Sequence, residues 1–333
     1  MKFGHKDLLG LRDLTAKEIN YILDQTRAFK QIYSRPMQQV PALKGKTVYN
    51  LFYENSTRTR TSFEQAARML SASVTSFAVS ASSVQKGETL IDTVKNLEVL
   101  GASLYVVRHE MAGAPHLIAK NVNVPVINAG DGFNEHPTQG LLDIFSMREV
   151  CGDLKGKKIA IVGDISHSRV ARSNIWGLVK LGAEVTVVAP PTLMPPGIEN
   201  MGVKVSYDLD EVIPEVDFLN VLRMQLERQH GPLFPSVREY HYLFGVNKKR
   251  LQKAKSNLVI LHPGPINRGV EISSDVVDDP RNIILEQVKN GVAVRMAVLF
   301  ILLQGRQSLI KKEIKPEVKA EVKSETKTEA KQK

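Results

Sequence analysis

The residues best equipped for chemistry begin at Ser56-Thr57-Arg58-Thr59-Arg60, three hydroxyls and two guanidinium groups in a row. The run follows an apolar stretch, Thr47–Tyr53, and leads into a helical pattern over Ser62–Leu70. A strand that turns into a helix leaves the first backbone N–H groups unpaired and aims the positive end of the helix dipole beyond the strand. Hydroxyls and an arginine at that point form a cradle for an oxyanion, since a guanidinium adds paired, charge-assisted bonds to a phosphate. Residue type alone also allows a plainer reading, with Ser56 as an ordinary N-cap and the arginines as solvated surface groups.

Further chemistry-bearing residues recur at the ends of apolar segments. Arg108 closes Ser103–Val107, and His136-Pro137-Thr138-Gln139 opens a helical pattern after a Gly130-Asp131-Gly132 turn. Gly163-Asp164 leads to Arg169 after Lys158–Val162, Arg223-Met224-Gln225 follows Val216–Val221, and His262-Pro263-Gly264-Pro265 follows Leu258–Leu261. A histidine alone in such a place would read as a core or capping residue. Several reaction classes find no support. There is no Gly-x-x-x-x-Gly-Lys-Ser/Thr loop for a nucleoside triphosphate and no Gly-x-Gly-x-x-Gly for a dinucleotide. No Asp/Glu pair or Ser–His–Asp set presents itself as a general base, and no His or Cys spacing suggests a metal. No cofactor is expected. Cys151 is the one cysteine, so no intrachain disulfide can form and a reducing cytoplasm suits the chain.

These residues need strands to hold them, and the pattern supplies strands. Short apolar segments (Thr47–Tyr53, Val74–Val79, Ser103–Val107, Val124–Asn128) alternate with helical ones (Ser62–Leu70, Leu90–Leu100, Pro115–Lys120, Gly140–Val150). Such alternation predicts an α/β fold, a parallel sheet covered by helices on both faces. The polar stretch Cys151–Gly156 interrupts the rhythm, which restarts with Lys158–Val162, Val170–Leu181 and Glu184–Ala189. Two doubly wound parallel-sheet domains are therefore expected, at 1–150 and 151–281, joined by helices and with the active site in the cleft between them. A helix over 282–305 is expected to pack back on the first domain. At the start, Thr15 and Glu18 form a capping box ahead of Ile19, Ile22, Leu23 and Phe29.

The 333 residues carry a formal net charge of +10, which fits nucleic-acid binding, recognition of small anions, or merely a lysine-rich surface. The segment Lys311–Lys333 holds eight lysines against five glutamates, +3 of that excess. Its charges meet their own sign four residues on, and it is expected to be a disordered Lys/Glu tail. A basic nucleic-acid-binding protein is the rival from another class. With 6% aromatic residues and no recognisable module, neither nucleic acid nor membrane is an expected partner. The longest apolar run, Met296–Leu303, is far short of the ~20 residues that cross a bilayer.

Taken in order, the Ser56–Arg60 string, His136-Pro137-Thr138-Gln139 and His262-Pro263-Gly264-Pro265 resemble the carbamoyltransferase family, over about residues 5 to 305. The resemblance implies a first domain for carbamoyl phosphate, a second for an amino acid, and a homotrimer with shared active sites. It assigns Ser56, Thr57, Arg58 and Thr59 to the phosphate, Arg108 to phosphate and carbonyl oxygen, and His136 to that carbonyl oxygen. Gln139 would bind the carbamoyl amide, and Gly264 and Pro265 would offer backbone carbonyls to the amino groups. The departing phosphate would take the amine proton. Ser82-Ser83-Val84-Gln85-Lys86-Gly87-Glu88-Thr89 is similar to the loop that aspartate enzymes swing into a neighbouring subunit, which makes Ser82 and Lys86 act in trans. Arg169, Arg223 and Gln225, with Lys86, would bind L-aspartate, whose two carboxylates need cations. The Ser-Met-Gly motif and the His-Cys-Leu-Pro of ornithine enzymes are missing, so aspartate is the preferred acceptor and ornithine the alternative. Gly264 stands where many aspartate enzymes carry leucine. The resemblance also admits a regulatory chain or dihydroorotase as partner.

Overall fold

Strand and helix alternate along the chain as the apolar pattern predicts, and the computed structural model describes residues 3–33, 35, 37–78, 88–225 and 233–304. Strands β1 (Thr47–Phe52), β2 (Ser73–Ala78), β3 (Leu104–His109) and β4 (Val126–Asp131) form one sheet in the order β2-β1-β3-β4. Strands β5 (Lys158–Val162), β6 (Glu184–Val188), β7 (Lys204–Ser206), β8 (Phe218–Val221) and β9 (Val259–Leu261) form a second, ordered β7-β6-β5-β8-β9. Every pairing in both sheets is parallel. Parallel strands need crossovers. Helices α2 (Thr57–Met69), α3 (Leu90–Val99) and α4 (Ala114–Asn121) serve the first sheet, and α6 (Arg169–Lys180) links β5 to β6.

The registers Phe52↔Arg108 and Val162↔Val221 bring the carboxyl ends of neighbouring strands level. The loops that carry the candidate residues therefore leave each sheet along one edge, where open α/β sheets bind ligands. Two helices join the halves: α5 (Pro137–Cys151) runs from the first sheet to the second, and a helix over 284–304 returns. The returning helix meets the first half through the ring pair Phe29–Phe300 and the bonds Arg295–Ser62 and Gln304–Ala42. Before the first sheet, α1 (Ala16–Tyr33) starts at a closed capping box, with Thr15 N–H donating to Glu18 at 2.9 Å and Glu18 N–H to Thr15 Oγ1 at 3.3 Å.

Several expected boundaries are corrected. α2 begins at Thr57, not Ser62, so the Ser56–Arg60 run forms the first helical turn. β4 begins at Val126 rather than Val124, because Pro125 has no N–H to give the ladder. It runs on through Gly130-Asp131, which were expected to turn. β7 and the helix Val237–Phe244 went unrecognised: the strand has three residues, none buried, and too little apolar pattern to declare itself. Ser82, Lys86 and the Lys311–Lys333 tail lie outside the described residues. No described helix is long and apolar enough to cross a membrane.

Candidate active site

Between the two halves lies a cleft of about 690 Å³. Ser56, Thr57, Arg58, Thr59, Arg108, His136, Gln139, Arg169, Arg223, Gln225, Gly264 and Pro265 all line it, so twelve of the fourteen sequence-predicted residues share one wall-to-wall space. The first seven come from the first half and the last five from the second.

Each group is placed by its element. Ser56 is the N-cap of α2 in type and position, yet its side chain makes no capping bond. The dipole and opening turn of α2 thus meet the cleft without a capping side chain of their own, as an anion site requires. Arg58 lies beside them. Burial pulls its pKa down, and the nearby Arg223 guanidinium pulls it further. Those two cations come from opposite halves of the cleft. Gly264 makes the approach of Arg58 feasible. Its φ is +63°, and a Cβ there would sit 3.2 Å from the Arg58 guanidinium carbon. The guanidinium therefore fills the space beside Gly264 that a side chain there would take. The peptide Gly264–Pro265 is cis.

His136 is the N-cap of α5 and fully buried, and neither ring nitrogen has a hydrogen-bond partner among the described residues. Its backbone N–H donates to Ser173 Oγ at 2.8 Å, and Ser173 Oγ donates to Glu135 at 2.9 Å. Burial pushes the imidazole pKa well below its ordinary range, with Arg108, Arg169 and Arg295 adding to the shift. A neutral ring with an unused N–H can donate to an oxygen that gains charge without itself carrying a full positive charge. Gln139 donates its amide N–H to Asp143 at 2.9 Å.

Sequence reasoning gave no role to Glu54, which organises the arginines. Arg108 Nη2 donates to it at 2.8 Å, and Arg169 forks onto both its oxygens at 2.8 and 2.7 Å. One carboxylate of the first half thereby holds an arginine from each half. Gly130, at φ +116°, lets Arg169 pass, since a Cβ there would lie 2.8 Å from Nε. The signal was available: Glu54 is the lone acid directly between strand β1 and the cradle. Arg295 was also missed. It sits fully buried on the helix 284–304, its guanidinium over the Phe63 ring and bonded to Ser62, with a pKa pushed down to about 10 by burial. Its place inside an apolar helical pattern disguised it. His262 turns away from ligand work, because Nδ1 accepts from Gly264 N–H and Nε2 faces Glu271 at 3.0 Å. Among the described residues no cluster of His, Cys, Asp and Glu is placed to hold a metal.

Two parallel α/β halves around an arginine-rich cleft, with a phosphate-type helix terminus on one side, define a transferase of an anionic donor. Comparison with known proteins makes this specific. A family model for aspartate/ornithine carbamoyltransferase, carbamoyl-P binding domain, matches residues 6–149, and its Asp/Orn binding domain matches residues 155–302. The chain belongs to the aspartate/ornithine carbamoyltransferase family. It is 56% identical over 308 residues to an aspartate carbamoyltransferase catalytic subunit of Endomicrobium trichonymphae, covering 92% of this chain and 99% of that one. To the same subunit of Acetivibrio thermocellus it is 58% identical over 297 residues, 89% and 95% of the two chains. A crystal structure of aspartate transcarbamoylase from Trypanosoma cruzi, in complex with carbamoyl phosphate and aspartate, superposes with a TM-score of 0.82 at 30% identity, covering 90% and 98%. Ornithine carbamoyltransferase from Thermus thermophilus gives 0.80 at 27%, covering 90% and 99%.

Proposed function

We propose that this chain transfers the carbamoyl group of carbamoyl phosphate to the amino group of L-aspartate, giving N-carbamoyl-L-aspartate and phosphate, an early step of pyrimidine synthesis. The observation that carries the reading is the charge of the cleft: among the described residues five guanidinium groups (Arg58, Arg108, Arg169, Arg223, Arg295) line it against one carboxylate, Glu54. Carbamoyl phosphate brings a dianion and aspartate two carboxylates, so the charge of the substrates complements that of the cleft. Ornithine brings an ammonium group. Among the described residues the one acid on the wall, Glu54, is forked to Arg169 and bonded to Arg108, an arrangement that disfavours an ornithine side chain.

In this reading the opening turn of α2, from Ser56 to Thr59, and Arg108 hold the phosphate, and Gln139 holds the carbamoyl amide. Attack of the amine on the carbamoyl carbon moves an electron pair onto the carbonyl oxygen. Neutral His136 and Arg108 donate to that oxygen, and loss of one such preset donor typically costs about 10²–10³-fold in rate. Collapse expels phosphate into the Arg58 cradle, where it takes the proton from the attacking nitrogen. Arg169 and Arg223 grip the aspartate carboxylates, Gln225 adds a polar contact, and the Gly264 and Pro265 carbonyls accept from the amino groups. Ser82 and Lys86 would complete the site from a neighbouring subunit of a homotrimer in the cytoplasm. A regulatory chain or dihydroorotase is compatible with this arrangement.

Arg223 tests it. A hydrogen bond to a charged group is worth about 1.5–3 kcal/mol, so Arg223→Ala should weaken aspartate at least ~10-fold and leave carbamoyl phosphate binding near wild type. Lysine there should rescue poorly, because an ammonium lacks the planar two-donor fork. Unaltered aspartate kinetics in Arg223→Ala would remove the second-substrate assignment.

A further inference from the structure

Beneath the cleft wall lies a buried carboxylate that the reaction itself does not use. Asp143 stands one turn beyond Gln139 on α5 and is fully buried. Its Oδ1 accepts from Gln139 Nε2 at 2.9 Å and from Gln287 Nε2 at 2.7 Å, and its Oδ2 accepts from Asn174 Nδ2 at 2.7 Å. Three elements thus meet on one group: α5, α6 and the helix 284–304. Gln287 in turn accepts the His262 N–H at 2.9 Å, at the start of the Gly264–Pro265 loop. An ionised carboxylate accepts and never donates, so each amide around it must present its nitrogen end.

We propose that Asp143 is a positioning residue that fixes which end of the Gln139 amide faces the carbamoyl group. With its nitrogen committed to Asp143, Gln139 turns its carbonyl oxygen to the cleft, where it accepts from the carbamoyl –NH2. Reversed, the amide would set N–H against N–H and reject the donor substrate. The same carboxylate holds Gln287 so that its oxygen secures the His262 backbone, and one charge therefore sets both walls. Burial raises the Asp143 pKa to about 6 against the pull of Asn174, Gln287, Gln139 and Asn220, and Arg295 is the charged group whose field it shares. At neutral pH it remains the acceptor this role needs. The inference rests on the carbamoyl phosphate reading of the cleft.

Two charge-conserving double variants separate polarity from packing. In Asp143→Asn with Gln287→Glu, residue 143 turns its –NH2 to positions 287 and 139 and its oxygen to Asn174. All bonds are retained, but Gln139 is forced to flip. In Asp143→Asn with Asn174→Asp, the –NH2 faces position 174 and the oxygen still faces both glutamines, so Gln139 stays as it is. The readout is the ratio of affinities for carbamoyl phosphate and acetyl phosphate, which carries methyl in place of –NH2 and makes no bond to Gln139. The first variant should lower this ratio about tenfold or more, as expected for a donor–acceptor pair turned into a donor–donor clash. The second should hold it within about threefold. Retention of the ratio in the first variant, or its loss in the second, overturns the inference, and either folded protein decides alone. Wild type measured alongside separates the two claims: if acetyl phosphate does not compete with carbamoyl phosphate there, the reading of the cleft itself fails.

Discussion

His136 illustrates how little of a residue's chemistry its type conveys. A histidine at a helix start reads as a cap, yet this side chain makes no capping bond and neither ring nitrogen is satisfied among the described residues. Three arginines and full burial keep it neutral. The sign follows from that: the folded pKa lies below the ordinary 6.5, so protonation is resisted as pH falls through 6.5 and the ring stays a neutral donor. In a nuclear magnetic resonance titration of the unliganded protein, the His136 ring should show no midpoint near pH 6.5. A His136 midpoint at or above 6.5 would contradict the neutral-donor role. The motif His-Pro-Thr-Gln was legible in sequence because four residues of fixed order rarely recur by chance. Glu54 and Arg295 were not, because their partners, Arg169 and Ser62, lie 115 and 233 residues away. Pairings at such separation have no local pattern to announce them.

At the scale of elements, periodicity located most strands and helices well, while ends drifted where a side chain or proline overrode it, as at Pro125 and Thr57. What periodicity could not show is the strap formed by residues 8–14. Leu8 bridges to Ile127 at the sheet edge, Leu11 and Arg12 N–H groups donate to Glu135, and Lys180 Nζ reaches the carbonyls of Leu11, Arg12 and Leu14. A cation on α6 of the second half thus closes the carbonyl side of a loop whose N–H side is closed by the residue preceding His136. Lys180→Met keeps the aliphatic stem and removes the donor. Hydrogen bonds to charged groups are worth about 1.5–3 kcal/mol, so unfolding free energy should fall by roughly 2 kcal/mol. Denaturant titration checks this, and a variant as stable as wild type would show that the strap is held by packing alone.

For the whole molecule, the cleft between two sheets was foreseeable from the restart of the strand–helix rhythm after Gly156, and from candidate residues falling at strand ends in both halves. The assembly was not readable in the same way, because surfaces between subunits carry no period. The shared-site reading nonetheless makes a sharp demand. Chains carrying Arg58→Ala and chains carrying Lys86→Gln should each be nearly inactive alone, and exchange into mixed trimers should restore activity where an intact Arg58 meets a neighbour's intact Lys86. Mixed trimers that form but stay inactive would place both residues in one subunit's site.

The central claim is that this cleft carbamoylates an amine borne by a dicarboxylate. Purified protein given carbamoyl phosphate with equal concentrations of L-aspartate and L-ornithine tests it in one vessel, with products identified by mass. The account predicts N-carbamoyl-L-aspartate with stoichiometric phosphate and no detectable citrulline, because five arginines favour the anionic acceptor and Glu54 is engaged by two of them. Citrulline as the main product, or phosphate release that does not depend on aspartate, would contradict it.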